Sequence, residues 1–324
     1  MKDVAREAGV GLGTVSRVLN NNGPVKETTR RKVERAIEAL NYKQNEVARN
    51  FKMQQSQSIA LIVPTIWHPF FSKFAYHVEK KLSDLGYKMI LCNTQNERTK
   101  EISYISMLEK NKIDGLIAIT YSAELDQYIS SHLPIVSIDR HFTKDVVFVT
   151  SDNRNGGELA AKELINRGCK RIAYLGSVSN IENESMKRRL GFETECLSKK
   201  VDHCIYELRE PVIDIEAVIQ RFLKQNPDVD GFFTMNDKWA KLLLQSLKNV
   251  GRRVPEDVQV IGFDGVTSSK EDELTFSTII QPVSEMAEKA VEVLINLIKE
   301  QPVEKKNVLP VTFFDGNSTN KKNT

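Results

Sequence analysis

Four cysteines, five histidines and two tryptophans are thin material for catalysis or metal binding in a chain of 324 residues. Cys92, Cys169, Cys196 and Cys204 form no C-x-x-C pair and have no histidine cluster beside them, which excludes a zinc site and a dithiol redox motif. Cys92 and Cys169 sit in or beside apolar runs and read as inert core thiols. The histidines, at 68, 77, 132, 141 and 203, are scattered, and no G-x-S-x-G elbow occurs. Without a nucleophile and its base no reaction is indicated, so neither an enzyme nor a cofactor or metal is expected. No apolar run approaches the ~20 residues that span a bilayer. Met1 leads straight into a charged helix rather than a signal peptide, so a cytoplasmic location without membrane contact is expected.

A phosphate-cradling loop is missing too. Gly9, Gly11 and Gly13 make a G-x-G-x-G, but a dinucleotide loop follows a strand, and what precedes these glycines is helical. The 40% hydrophobic and 27% charged residues are globular values, and the length suits a small domain followed by two medium ones.

The net charge of +3 conceals a separation. Residues 1–56 carry eleven Lys/Arg against six Asp/Glu, whereas the remainder carries 35 against 37. All the excess positive charge therefore lies in the first segment, as phosphate contacts require. In that segment Val4, Ala5 and Ala8 fall at one-face helical spacing, and Gly9 supplies a residue that tolerates positive φ where the helix must stop. A second helix from about Leu12 to Leu19 turns Val15, Val18 and Leu19 inward. Its other face carries Thr14, Ser16, Arg17 and Asn20, all with hydrogen-bonding side chains. Helix, glycine turn and helix with a polar outer stripe make a helix-turn-helix, whose second helix enters the major groove of DNA. A third helix is expected from Lys26 or Glu27 to Leu40, with Val33, Ile37 and Leu40 inside and Arg30, Arg31 and Arg35 outside.

From Ser58 short apolar runs alternate with helical stretches. The runs 58–64, 88–93, 115–120, 134–139 and 146–152 are followed by 171–177, 203–208, 231–237 and 258–265, with helices near 70–86, 99–110, 153–167, 183–199, 214–225, 237–250 and 284–300. Strands buried on both faces and spaced by helices form parallel, doubly wound sheets. Two such sets predict two α/β lobes with a ligand cleft between their strand ends. The loops after the strands supply Phe70, Phe71, Asp139, Arg188, Asn236, Asp237, Asp264 and Gln281. Carboxylates, amides, an Arg fork and aromatic rings suit a neutral polyhydroxylated ligand. Phe70 and Phe71 read equally as helix–sheet packing, Asp237 as a helix cap, and Trp67 and Trp239 as either rim or core.

The segments KDVAREAGV, TVSRVLN, TTRRKVERAIEALNY and NEVARNF, in that order, closely resemble the headpiece of the LacI/GalR transcriptional repressors. The resemblance implies an all-α helix-turn-helix headpiece (1–42), a hinge (43–57), and a periplasmic-binding-protein-like core of two doubly wound lobes (58–314) ahead of a polar tail (315–324). In that core the chain crosses between lobes three times, here near 151–153, 281–284 and 304–307. Lobe one then holds 58–151 and 284–304, and lobe two holds 152–281 and 306–314. Leu12, Gly13 and Arg17 occupy the positions that reach base edges, while Thr14, Ser16, Asn20 and Thr29 are expected on phosphates. Asn45, Ala48, Arg49 and Phe51 belong to a hinge helix that orders on operator DNA, two copies from a homodimer lying in the minor groove. The cleft residues named above match the family's effector positions.

The sequence departs from the family where Lys26 replaces a Ser or Thr cap, a loss of about 1 kcal/mol. It departs again where Gln44 and Phe51 replace a Pro and a Leu. Asp3 must cap the first helix, or the natural start lies a few residues upstream. No leucine heptad follows Phe314, which leaves a dimer rather than a tetramer. LPVTFFDGNST and SDNRNGGELAAKEL resemble most the sucrose-operon subgroup. The implied function is repression of carbohydrate-utilisation genes, relieved or enforced by a sugar or sugar phosphate. A sugar-binding protein without DNA function, a two-lobe enzyme and a global regulator using a protein corepressor are the alternatives.

Overall fold

The computed structural model describes residues 1–19, 22–42, 56–110, 113–120, 133–142, 146–269 and 271–321. The chain divides into two compact units, Met1–Ser56 and Gln57–Thr324.

In the first unit α1 (Lys2–Ala8), α2 (Leu12–Leu19) and α3 (Glu27–Ala39) close on a core of Val4, Ala5, Ala8, Val15, Val18, Val33 and Ala36. Gly9 adopts φ 65° and turns its amide back onto the Ala5 and Arg6 carbonyls, ending α1 as its missing Cβ allows. Two expectations are corrected. Leu40 lies past the end of α3 and is 43% exposed, so Ala36 and not Leu40 completes the inner stripe with Val33. Asp3 does not cap α1: its carboxylate pairs with Arg6 at 2.8 Å, and Met1 occupies the cap position. Lys26, as expected, heads α3 without a side-chain cap.

The second unit starts with β1 (Ser58–Val63), α4 (Pro69–Asp84), β2 (Lys88–Asn93), α5 (Arg98–Lys110), β3 (Gly115–Ala118), β4 (Ile135–Ile138) and β5 (Val147–Ser151). It continues through α6 (Asn153–Asn166), β6 (Arg171–Val178), a 3-10 turn (Glu184–Met186), α7 (Lys187–Lys199), β7 (Asp202–Arg209), α8 (Ile215–Gln225), β8 (Gly231–Thr234), α9 (Asp237–Asn249) and β9 (Gln259–Asp264). It ends with β10 (Thr278–Ile280), α10 (Val283–Ile298), β11 (Lys306–Leu309) and β12 (Thr312–Phe314).

These strands form two six-stranded sheets, ordered β11-β5-β4-β3-β1-β2 and β12-β10-β9-β8-β6-β7. Every pairing is parallel except the edge pair β10–β12. Strands such as β1, β3 and β9 are buried along nearly their whole length because helices cover both faces of each sheet. In lobe one, Phe74, Val78 and Leu82 of α4 and Met286, Ala290 and Leu294 of α10 fill one side, and Ile105 and Leu108 of α5 the other. In lobe two, Phe222 and Leu243 back one face, and Leu164 and Phe192 the other.

The chain passes between lobes at Ser151–Asn153 and again at Ile280–Val283. The third passage differs from expectation. Residues Lys306–Leu309 pair with β5 in lobe one rather than joining lobe two, so the crossing falls between Leu309 and Thr312. The stretch after Phe314, expected as a polar tail, is packed against lobe two at Ser318 and Thr319. The Ser318 hydroxyl accepts from the Ser277 amide (2.8 Å) and donates to the Val260 carbonyl (2.6 Å), and Ser318 and Thr319 are buried.

The α6–α7 contact seats the later site. A Cβ on Gly157 would lie 1.9 Å from the Arg188 carbonyl oxygen, and one on Gly191 would lie 1.9 Å from that of Arg154. The two helices therefore meet backbone to backbone. Gly157→Ala must push α7 away and is expected to lower the unfolding free energy of this unit by about 3 kcal/mol in urea titrations.

Candidate functional site

Two sites emerge, one in each unit. On α2 the burial of Val15 and Val18 turns the opposite face outward: Leu12 is 46% exposed, Gly13 and Arg17 are exposed, and Thr14 and Ser16 are half-buried. Thr29, in the first turn of α3, is half-buried. A Cβ on Gly13 would meet nothing within 4 Å, so this face is open at its centre. Asn20, Asn45, Ala48, Arg49 and Phe51, together with the expected hinge helix, lie outside the described residues.

The second site lies between the lobes, at the carboxyl ends of their strands. Arg188, near the start of α7 and 5% exposed, is its hub. Its Nε donates to Asn153 Oδ1 (2.7 Å) and its Nη1 to the Met235 carbonyl (2.7 Å). Nη1 also stands 3.5 Å from Asp264 Oδ1, and the guanidinium lies 3.7 Å over the Phe263 ring. Gln281, in the second crossover, donates to Asp264 Oδ1 (2.8 Å) and accepts from Ser151 Oγ (2.7 Å) in the first. From lobe one Asp139 accepts from Thr150 Oγ1 at 2.5 Å, and Asn153 Nδ2 donates to the same hydroxyl oxygen at 3.1 Å. One hydrogen-bonded chain thus runs from Asp139 to Asp264. Both aspartates hold positive φ, 56° and 116°, a strained backbone that persists only where its surroundings enforce it.

His68 caps α4: its Nδ1 accepts the Phe70 amide at 3.3 Å. Burial pushes its pKa down, against the pull of Asp264. A neutral ring that accepts at Nδ1 carries its proton on Nε2, and that atom lies 4.0 Å from Asp264 Oδ2. Burial raises the Asp139 carboxyl to about 6, opposed by the Thr150 hydrogen bond and Arg188. Burial raises Asp264 as well, against Arg188 and His68.

Asp139, Asp264 and Gln281, which follow or end strands, and Arg188 on α7 are brought together. Others are not. Phe70 is 5% exposed and packs in the lobe-one core, while Phe71 is half-buried with its ring 5.3 Å from that of His68. Asn236 accepts the Trp239 amide (3.1 Å) as the cap of α9. Asp237, read from sequence as a ligand group or a cap, is a buried brace: its oxygens take Thr278 Oγ1 (2.6 Å) and the Val266 amide (3.2 Å). Burial, then the charge of Asp264, pushes its pKa up. Trp239 is core, whereas Trp67 stands 90% exposed on the loop after β1. His68, Thr150, Ser151 and Asn153 were overlooked, although they follow or end β1 and β5 and so obey the same strand-end rule.

Chemically this is a binding surface. Donors and acceptors alternate, and the one hydroxyl set against a carboxylate here, Thr150 on Asp139, also accepts from Asn153, so it is held within the network. Among the described residues no cluster of His, Cys, Asp or Glu could hold a metal ion. Burial raises the thiols of Cys92, Cys169 and Cys196 to about 11, 12 and 12, which leaves them protonated and unreactive.

Comparison with known proteins agrees with this division. Residues 1–45 match the model of the bacterial regulatory proteins of the lacI family, and residues 161–319 match that of the periplasmic binding protein-like domain. A sucrose operon repressor from Streptococcus mutans is 35% identical over 98% of both chains. A ribose operon repressor from Bacillus subtilis is 34% identical over 99% of this chain and 98% of its own. Among solved structures, a lac repressor dimer bound to operator and an anti-inducer superposes with TM-score 0.85 over 98% of both chains at 22% identity, a likeness of fold.

The Asp139 carboxyl makes a pH signature. Its native pKa of about 6 exceeds the unfolded value, so the native state binds more protons in between, and stability from this group falls as pH rises through about 6. Asp139→Asn removes that loss. Measured by urea unfolding, the variant is expected to gain about 2 kcal/mol on the wild type between pH 4 and pH 7.

Proposed function

This chain belongs to the lacI family of bacterial regulatory proteins, and from that premise we propose that it is a homodimeric repressor of a carbohydrate operon, released from or held on its operator by a sugar in the interlobe cleft. The observation that carries the DNA half is the outward stripe of α2, with Leu12, Gly13 and Arg17 exposed on a unit bearing all the excess positive charge. Arg17 alone among the three has a side chain that can make a bidentate hydrogen bond to a base edge, most naturally to guanine. Gly13 leaves its stretch of the groove to Leu12 and to DNA shape. Thr14, Ser16, Asn20 and Thr29 position the unit on phosphates. Asn45, Ala48, Arg49 and Phe51 extend the contact into the minor groove, Phe51 as the apolar wedge. Repression of this kind belongs in the cytoplasm, and no described helix is long and apolar enough to cross a membrane.

The cleft network supports a neutral sugar over a sugar phosphate. Within that hydrogen-bonded network Asp139 and Asp264 face a single cation, Arg188, and the burial of His68 favours its neutral form. A phosphate dianion there would face two carboxylates in a low dielectric, whereas hydroxyl groups can both donate to these oxygens and accept from Arg188 and Gln281. Relatives named for sucrose and for ribose match this chain almost equally well, so both sugars head the screen. A ligand shifts an equilibrium only by its differential affinity, so an inducing sugar binds the free dimer more tightly than the operator-bound one.

Two measurements test this. Arg17→Ala is expected to cost about 1–3 kcal/mol of discrimination at one operator base pair in fluorescence anisotropy; an unchanged ranking of operator variants removes the assigned role. Calorimetry of sucrose, ribose and their phosphates, with and without operator, is expected to find a neutral sugar whose affinity differs between the two states. Equal affinity for every sugar in both states breaks the coupling.

A further inference from the structure

A second set of contacts crosses between the lobes, away from Arg188. His141 lies just past the end of β4 in lobe one, its ring edge-on to Phe148 of β5 at 4.1 Å. Its Nε2 meets Oε1 of Glu184, in the 3-10 turn that precedes α7 in lobe two. Lys187 Nζ donates to the same oxygen at 2.6 Å. The backbone repeats the bridge: the Glu184 amide donates to the Asp139 carbonyl at 2.8 Å, one lobe to the other. The Glu184 side chain is only 4% exposed, while those of His141 and Lys187 are 46% and 35% exposed.

We propose that His141, Glu184 and the Asp139 carbonyl form a latch across the cleft, tightened when His141 takes up a proton, so that the lobe angle responds to pH as well as to ligand. A buried carboxylate that loses His141 on opening keeps Lys187 alone, so the bridge favours the closed arrangement. A neutral His141 contributes one hydrogen bond; an imidazolium adds its charge to that bond. Burial opposes ionisation of Glu184, but Lys187 and His141 prevail and hold its carboxyl below the usual value, so it stays charged. Among the described residues the other charges near this gap are the Asp139 carboxyl, which feels Glu184, Arg188 and Asp264, the Arg188 guanidinium, and the buried guanidinium of Arg140, the chain neighbour of His141, which lies over the Phe142 ring. Asp139 titrates close to the imidazole range, so the two groups must be separated by substitution.

Hydrogen exchange of the intact, unliganded protein reads the latch directly, through peptides containing the Glu184 amide and after correction for intrinsic rates. The wild type is expected to be about two- to fivefold more protected at pH 6 than at pH 8. His141→Gln is expected to be less protected and flat with pH; His141→Lys, permanently charged, should restore protection at both. Equal wild-type protection at the two pH values overturns the latch. So does a pH dependence that survives in His141→Gln, which would assign it to Asp139. The measurement uses neither sugar nor DNA, so its outcome is independent of the repressor assignment.

Discussion

The Arg188 guanidinium and the Asp264 carboxylate are only 6% and 5% exposed, and they lie where two lobes meet. Taking two charges out of water costs several kcal/mol per ion, and a contact of 3.5 Å does not offset that unaided. The surroundings supply the difference. Asn153 and the Met235 carbonyl satisfy the fork of Arg188, the Phe263 face lies beneath it, and Gln281 donates to Asp264. The groups that make the pair tolerable are drawn from α6, the β8–α9 loop, β9 and two crossovers. A cleft ligand that changes any one of them disturbs all of them.

That dependence reaches into the backbone. Arg188 stands where it does because Gly157 and Gly191 let α6 and α7 touch without side chains between them. Asn153 begins α6 immediately after the first crossover, and Gln281 sits within the second. The hinge strands and the binding groups are therefore the same short segments. The partners of Arg188 all belong to lobe two, and the network reaches lobe one through the Thr150 hydroxyl, which accepts from Asn153 and donates to Asp139 across the first crossover. A ligand bound at that junction would draw on the same contacts as the angle between the lobes.

The two sheets were legible because nine of their strands are runs of apolar residues between helical stretches, and burial on both faces leaves little else for such runs to be. The last three strands were not. Thr278–Ile280, Lys306–Leu309 and Thr312–Phe314 are three or four residues long, and β11 and β12 are edge strands with much of their length outside the core. The third crossing was misplaced for that reason. At the site, strand-end position identified Asp139, Asp264 and Gln281, and the family resemblance Arg188, which stands on α7, but strand-end position could not separate neighbours. Phe70 and Phe71 are about 100° apart on a helix, so one is core and the other faces His68. Asn236 and Asp237 were spent on a cap and a brace, roles set by Trp239, Thr278 and Val266. The bond between His141 and Glu184 joins residues 43 apart in different lobes, and no periodicity encodes such a pair.

The DNA-binding unit poses the opposite problem to the core. Its three helices enclose seven buried apolar residues, three of them alanine, and α3 has no side-chain cap. A segment this small buries too little surface to be very stable alone, and the missing cap withholds about 1 kcal/mol. Anything that binds its folded form adds RT ln(1 + [L]/Kd) to that stability. Thr14, Ser16 and Thr29 present polar groups on α2 and the first turn of α3, where the proposed operator contacts would bring phosphate acceptors. A unit built with so little margin therefore gains proportionately more from its operator than a robust one would. Its fold and its occupancy of DNA become parts of one equilibrium.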